Sequence, residues 1–170
     1  SSLDISQVRN TSLCTTLDID GKKVATVEHL LASLVGTGLT HIHLQIDGRE
    51  IPLLDGSAIN WVEAIQKAGI VNSATSPKPR PELTSPIIVN EGESTIFAIP
   101  SKKLKIIGLI DFPYKAIGQQ MFSIDLTPNS FVKEIAPART FGFLDQLEEL
   151  RESGLIKGGA LENALVCNGD

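Results

Sequence analysis

An adjacent glutamate and histidine, Glu28 and His29, are the residues whose types and spacing best suit catalysis. Apolar residues recur on one helical face around them, and steps of about 100° place His29 nearly opposite that face. A neutral imidazole binds zinc, and a neighbouring carboxylate can serve as a general base. The pair therefore suggests either a zinc ligand beside a general base or a solvated first helical turn in which Glu28 complements the helix dipole.

Two further histidines, His41 and His43, alternate with apolar residues over 40–46. This alternation predicts a strand with one buried face, and both histidines would lie on its other face with Gln45. We interpret them as a solvent-facing strand surface rather than as metal ligands.

Other polar groups lie in segments that resemble turns and caps. Asp55 and Ser57 precede a predicted helix and lack a nearby histidine for a triad, so we interpret them as a helix cap. Arg139 and Lys157 suit either contacts to an anionic ligand or an ordinary cap and loop. The sequence contains no P-loop, G-x-G-x-x-G, H-E-x-x-H or G-x-S-x-G pattern.

These residues belong to a chain whose elements predict an α+β fold in two similar units. The pattern of the first unit predicts, in order, a strand at 12–18 that turns at Asp20-Gly21 and a helix capped by Thr26 and ended by Gly36 or Gly38. A strand at 40–46, a helix at 58–68 stopped by Gly69 and a closing strand at 70–71 follow. The pattern of the second unit predicts strands at 87–90, 94–99, 103–111, 120–125 and 164–166, with a helix at 141–153.

The domain boundary is predicted from a change in composition. Residues 72–86 contain four prolines and five Ser or Thr residues without apolar periodicity, which is typical of a linker. We therefore expect an N-terminal α+β domain at 1–71 and a C-terminal α+β domain at 87–170.

Length and composition exclude several classes of protein. The 170 residues carry 15 basic and 20 acidic side chains, and this net charge of −5 argues against a nucleic-acid surface. No apolar run approaches the roughly 20 residues that span a bilayer, so we expect a soluble protein. The cysteines, Cys14 and Cys167, match no zinc-binding spacing and are expected to be reduced thiols.

Four ordered sequence blocks carry a resemblance to a known family. They are TVEHLL at 26–31, EIPLLDGSA at 50–58, ARTFGF at 138–143 and GGALENA at 158–164. Together they resemble the UDP-3-O-acyl-N-acetylglucosamine deacetylases, zinc hydrolases that commit a sugar nucleotide to lipid A synthesis. The resemblance implies two β-α-α-β units, each a sheet with helices on one side, whose helices pack between the sheets.

The resemblance also implies a role for each matching residue. Glu28 would be the general base, His29 a zinc ligand and Thr140 a hydrogen-bond donor to the oxyanion. The substrate-binding residues implied by the resemblance or by their charge are Phe141 near the glucosamine, Lys157 near the diphosphate, and Gly159, Ala160 and Ala164 along the acyl chain. The implied cofactor is Zn²⁺ and the implied partner is a UDP-3-O-acyl-glucosamine-type substrate.

The family pattern also contains segments that this chain lacks. Family blocks are expected before Ser1 and after Val166, and the second of these supplies two zinc ligands and precedes a catalytic histidine. We therefore expect a form truncated at both ends, with an incomplete C-terminal domain and little or no activity. The alternative is a shortened homologue that acts as a binding or interaction module.

Two further expectations concern the surroundings of the chain. A truncated edge would expose apolar surface and favour self-association. The family predicts a bacterial cytoplasmic location, and the alternative is a mitochondrion or plastid of a plant.

Overall fold

The computed structural model describes residues 3–72, 82–144 and 162–168. Its N-terminal half begins with a 3₁₀-helix at Ile5–Gln7 and continues with β1 (Val8–Asn10), β2 (Thr16–Ile19), β3 (Lys22–Val24), α1 (Glu28–Gly36) and α2 (Ile59–Ala68). The three strands form an antiparallel sheet in the order β1-β2-β3. Asp20 and Gly21 both have positive φ in the tight β2–β3 turn, which confirms the predicted turn.

Helix α1 packs its apolar face on this sheet, as its periodicity predicted. The buried core consists of Leu17, Val24, Val27, Leu30, Leu34 and Ile51. Burial of this face leaves the start of the helix at the edge of the core, where Glu28 is exposed and His29 is half-buried. The core therefore fixes where the two candidate catalytic residues lie.

The C-terminal half contains two antiparallel hairpins, a helical segment and a parallel strand pair. The hairpins are β4 (Ile87–Glu91) with β5 (Ser94–Ala98) and β6 (Lys105–Asp111) with β7 (Gln119–Asp125). A helical segment at 128–135 follows, with an α-helical turn at Pro128–Ser130 and a π-helix at Phe131–Ile135. Strands β8 (Phe141–Phe143) and β9 (Leu165–Cys167) are parallel. The α+β class is confirmed, and the hairpin strands agree with their predicted positions to within two residues.

The two halves meet through their helices. A second buried cluster joins Ala58 and Val62 of the α2 region to Phe131 and Ala136. Gly36, the last residue of α1, lies directly against the Phe131 ring, where a Cβ atom would overlap the ring carbons. This packing of helices from both halves agrees with the arrangement that the resemblance implied.

The sequence predictions for four strands or helices were wholly or partly wrong. The strand predicted at 12–18 begins only at Thr16. Residues 40–46 form no strand, and their apolar side chains are exposed beside His41 and His43, because no described strand pairs with them. Residues 70–71 form no closing strand for the same reason. The helix predicted at 141–153 is wrong over Phe141–Phe143, which form strand β8. Leu144 is helical, and residues 145–153 lie outside the described residues.

The hairpin strands β4 to β7 expose most of their apolar side chains on both faces. The exposed residues include Ile88, Ile96, Phe97, Leu109 and Met121. This agrees with the apolar surface expected for the C-terminal unit. Self-association through that surface stays a prediction.

Candidate functional site

Glu28 is held at the first turn of α1 by the loop that precedes β2. The backbone N–H of Thr15 donates a hydrogen bond to Glu28 Oε1. The residue is otherwise exposed, and its carboxylate is tethered through this one bond. A carboxylate held in this way can accept a proton from a bound molecule.

His29 differs from an ordinary solvated residue. The side chain is half-buried, and its Nδ1 atom is buried with no hydrogen-bond partner among the described residues. The interpretation of this turn as simply solvated therefore applies to Glu28 but not to His29. An unpaired, buried imidazole nitrogen fits the chemistry of a metal ligand.

A serine that the sequence analysis missed links this turn to the second helix. Ser33 is fully buried, and its Oγ lies 2.7 Å from the His29 carbonyl oxygen and 3.1 Å from the Ala58 carbonyl oxygen. One hydroxyl hydrogen is thus shared between the two helices. The available signal was a polar residue four positions after His29, on the face that the helix buries.

The cap predicted for α1 is wrong. Val27 precedes the helix and provides no side-chain cap, and Thr26 adopts a left-handed conformation with φ of +59°. The Thr26 hydroxyl instead donates to Glu50 Oε1 at 2.8 Å. The Thr26 hydroxyl thus bonds to a residue that is distant in sequence, and the local capping pattern did not predict this contact.

Thr140 lies at a junction of three segments. Its N–H donates to the Gly56 carbonyl oxygen at 2.7 Å, and its own carbonyl accepts from the Leu165 N–H at 2.9 Å. The half-buried Thr140 side chain makes no hydrogen bond to another described residue through its hydroxyl. The backbone of Thr140 is therefore fixed while the hydroxyl can donate to a ligand.

Arg139 joins the same three segments through backbone carbonyls. Its Nε donates to the Asp55 carbonyl oxygen and its Nη2 to the Glu162 carbonyl oxygen, both at 2.7 Å. Of the two interpretations left open by the sequence, the structure favours a structural role over contact with an anionic ligand. These two hydrogen bonds let Arg139 stabilise the position of the neighbouring Thr140.

Asp55 and Ser57 form a polar turn at this junction, as expected from their capping pattern. Burial opposes ionisation of the Asp55 carboxyl, but hydrogen bonds from the Ser57 hydroxyl and N–H hold its pKa below the usual value. The Ser57 hydroxyl in turn accepts from Ile59 N–H at 3.3 Å, at the start of α2. Both groups are engaged in the turn, but the predicted cap is only partly formed. The Ser57 hydroxyl reaches Ile59 N–H, whereas Ala58, which directly precedes α2, provides no side-chain cap.

Phe141 belongs to an aromatic cluster that anchors β8. Its ring meets Phe112 and Phe143 edge to face, with centroids 5.7 and 5.9 Å apart, and Phe143 stacks on Tyr114 at 3.8 Å. Phe143 is buried whereas Phe141 keeps 41% of its surface exposed. The exposed part of the Phe141 ring is available to line a binding site next to Thr140.

The structure groups the predicted site residues into two sets. Thr140 and Phe141 lie beside Ala164, because Phe141 pairs with Leu165 in the parallel register of β8 and β9. Glu28 and His29 form the other set, and the 55–58 loop links the two through Ser33 and Gly56. The remaining predicted residues, Lys157, Gly159 and Ala160, lie outside the described residues.

A metal would find only part of its ligand set in the described chain. His29 fits one ligand, but the described residues contain no group of three or more His, Cys, Asp or Glu side chains able to hold an ion. His41 and His43 are exposed, as predicted, although on a segment that is not a strand. A catalytic zinc site takes three protein ligands and keeps an open position.

Across the parts of the chain that the structure covers, no helix has the length and apolar character needed to cross a membrane.

Comparisons with known proteins match the whole chain. The family model described as UDP-3-O-acyl N-acetylglycosamine deacetylase matches residues 1–170. The UDP-3-O-acyl-N-acetylglucosamine deacetylase of Thermosynechococcus vestitus is 49% identical over 164 residues, which cover 96% of this chain and 56% of that protein. The protein of the same name from Trichormus variabilis is 45% identical over 170 residues, covering 98% of this chain and 61% of the relative. The chain thus spans little more than half the length of these curated relatives.

Proposed function

We propose, from the premise that the chain belongs to the UDP-3-O-acyl N-acetylglycosamine deacetylase family, that its residues serve the hydrolysis of the N-acetyl group of UDP-3-O-acyl-N-acetylglucosamine. The products would be acetate and the free amine, and the step belongs to lipid A synthesis. The proposal combines family membership with one observation in the structure. A tethered carboxylate, Glu28, adjoins His29, whose buried ring nitrogen Nδ1 has no partner in the part of the chain that the structure describes.

In this proposal Zn²⁺ is the cofactor and His29 is one of its ligands. Bound zinc would polarise the acetamide carbonyl and lower the pKa of a water molecule. The chain's own residues would orient the reaction and move the proton. His29 is suited to its part because Ser33 fixes its backbone and the rest of α1 is anchored in the core.

Glu28 would act as the general base. Thr15 holds Oε1, which leaves Oε2 to take a proton as water attacks the acetamide carbon. The carbon–nitrogen bond then breaks to release acetate, and the departing nitrogen takes up a proton to become the amine. The Thr140 hydroxyl would donate a hydrogen bond to the developing oxyanion. The hydrogen bond from Thr140 N–H to Gly56 and the hydrogen bonds of Arg139 support its position.

The substrate would be bound mainly by the residues around Thr140. Phe141 presents an exposed ring next to Thr140, which suits contact with the glucosamine. Lys157 would balance the diphosphate charge, while Gly159, Ala160 and Ala164 would border the acyl chain. Ala164 is half-buried beside β9, a position compatible with that role.

We also propose that these 170 residues alone hold zinc weakly and hydrolyse little or no substrate. The sequence contains three histidines, and only His29 is placed in a candidate site. The alternative function is a binding or interaction module, which the exposed apolar side chains of the β4–β7 hairpins favour. The relatives reported above are bacterial, and we propose a bacterial cytoplasmic location on that basis, with a plant organelle as the alternative.

Zinc content tests the ligand assignment. We expect the full-length gene product to retain one zinc per chain after dialysis, and His29→Ala to weaken zinc binding by at least about 100-fold because an inner-sphere ligand is lost. His41→Ala is the matched control, since His41 is exposed and should leave zinc binding unchanged. Zinc content is measured by mass spectrometry, and a His29→Ala protein that kept its zinc would contradict the assignment. For the 170-residue chain alone we expect less than one zinc per chain.

A further inference from the structure

The backbone immediately before α1 is strained at a residue that normally avoids such a conformation. Thr26 has φ of +59°, in the left-handed region that β-branched residues rarely occupy. Strain of this kind persists only where surrounding contacts impose it, and it is concentrated at functional sites. The strained residue lies two positions before Glu28 and three before His29.

The contacts that impose this conformation come from one distant segment. Ala25 N–H donates to the Arg49 carbonyl oxygen at 2.9 Å, and Ile51 N–H donates to the Ala25 carbonyl oxygen at 3.0 Å. These bonds form an isolated parallel bridge between Ala25 and Glu50. The bridge brings the Glu50 side chain to the Thr26 hydroxyl, which donates to Oε1 at 2.8 Å.

Helix α1 begins without a side-chain cap, because the residue in the cap position is Val27. The direction of its first turn therefore depends on the backbone turn at Thr26, whose hydroxyl donates to Glu50. Ile51, next to Glu50, is buried in the same core as the apolar face of α1. The segment that holds Thr26 is therefore itself anchored.

We propose that Glu50 is a positioning residue, which holds Thr26 in its left-handed conformation and thereby orients the first turn of α1 that carries Glu28 and His29. Glu50 acts through a hydrogen bond and need not contact the substrate. This role rests on the proposed function for its effect on catalysis. Its structural part, the ordering of the first turn, does not depend on that function.

The kinetic test uses the full-length gene product. We expect Glu50→Ala to lower kcat by about tenfold with KM changed less than twofold, because a small displacement of catalytic groups slows the chemical step more than it weakens binding. Glu50→Gln keeps an acceptor oxygen for the Thr26 hydroxyl and should restore kcat to within about twofold of the wild type. Glu63→Ala, which removes an exposed carboxylate from α2, is the matched control and should leave kcat unchanged.

Amide hydrogen exchange separates failure of this inference from failure of the proposed function. We expect Glu50→Ala, and the near-isosteric Thr26→Val, to speed exchange in the first turn of α1 by about tenfold, while Thr26→Ser and Glu50→Gln do not. If the wild type shows no deacetylation but the exchange pattern holds, the proposed function fails and the positioning role stands. Unchanged exchange and kcat in Glu50→Ala would overturn the inference, as would global unfolding of both Glu50→Ala and Thr26→Val.

Discussion

Replacing Glu28 with glutamine is expected to lower kcat for deacetylation by about 10²–10⁴-fold in the full-length gene product, the range typical of losing a general base. The amide cannot take the proton from the attacking water. Its oxygen can still accept the hydrogen bond from Thr15 N–H that now reaches Glu28 Oε1, so the first turn of α1 should keep its place. KM should change little, because Glu28 acts on the reacting water rather than on the remote parts of the substrate.

The control for this substitution is Glu63→Gln, which changes an exposed glutamate on α2. It should retain the kcat of the wild type. Zinc content should be the same in both variants, since neither change removes the proposed ligand His29. Initial rates of acetate release measure the effect, and a Glu28→Gln enzyme within threefold of the wild type would remove Glu28 from the mechanism.

The second large effect is expected at Gly56, where the chain segments that hold Thr140 meet. Gly56 has φ of +81°, and a Cβ atom there would overlap the carbonyl oxygen of Asn163 and come within 3.1 Å of Thr140 Cγ2. Gly56→Ala should therefore reduce the free energy of unfolding by about 2–5 kcal/mol, from backbone strain and steric overlap together. Urea denaturation of the 170-residue chain measures the change.

Gly21→Ala is the matched control for Gly56→Ala. Gly21 has φ of +79°, but a Cβ atom there would meet nothing within 4 Å. This variant should lose only the conformational part, about 1–2 kcal/mol. If the two variants lost equal free energy of unfolding, the segments around Gly56 would have to shift at little cost, and Thr140 would not be held rigidly.

Sequence reasoning succeeded where structure is determined locally. The apolar periodicity after Thr26 predicted α1 and its buried face, because residues three and four apart meet on one side of a helix. The Asp20–Gly21 turn was predicted for a similar reason, since both residues accept positive φ. The strands of the two C-terminal hairpins also followed from local patterns.

Predictions failed where distant partners decide the conformation. Thr26 fits a capping pattern, yet its hydroxyl binds Glu50, which is 24 positions away. Phe141 fits a helical pattern, yet it pairs with Leu165 and packs against Phe112. Neither contact can be derived from the residues near it in sequence, because tertiary pairing overrides local propensity.

The residues of the candidate site also differ in how they were identified. Glu28 and His29 were identified from their types and their place on a helix, whereas Thr140, Phe141 and Ala164 came from the family resemblance. The structure adds the residues that hold them, because Ser33 and Arg139 act through backbone carbonyls of remote segments. Such contacts leave no mark in the spacing of the sequence.

Acetate release provides the most direct test of the central claim, that these residues serve zinc-dependent deacetylation of a UDP-linked sugar. The measurement incubates the zinc-loaded, full-length gene product with UDP-3-O-acyl-N-acetylglucosamine and follows acetate and free amine together. We predict equal amounts of both products, with formation abolished by a zinc chelator and restored by added zinc. A folded, zinc-loaded protein that releases neither product would contradict the account.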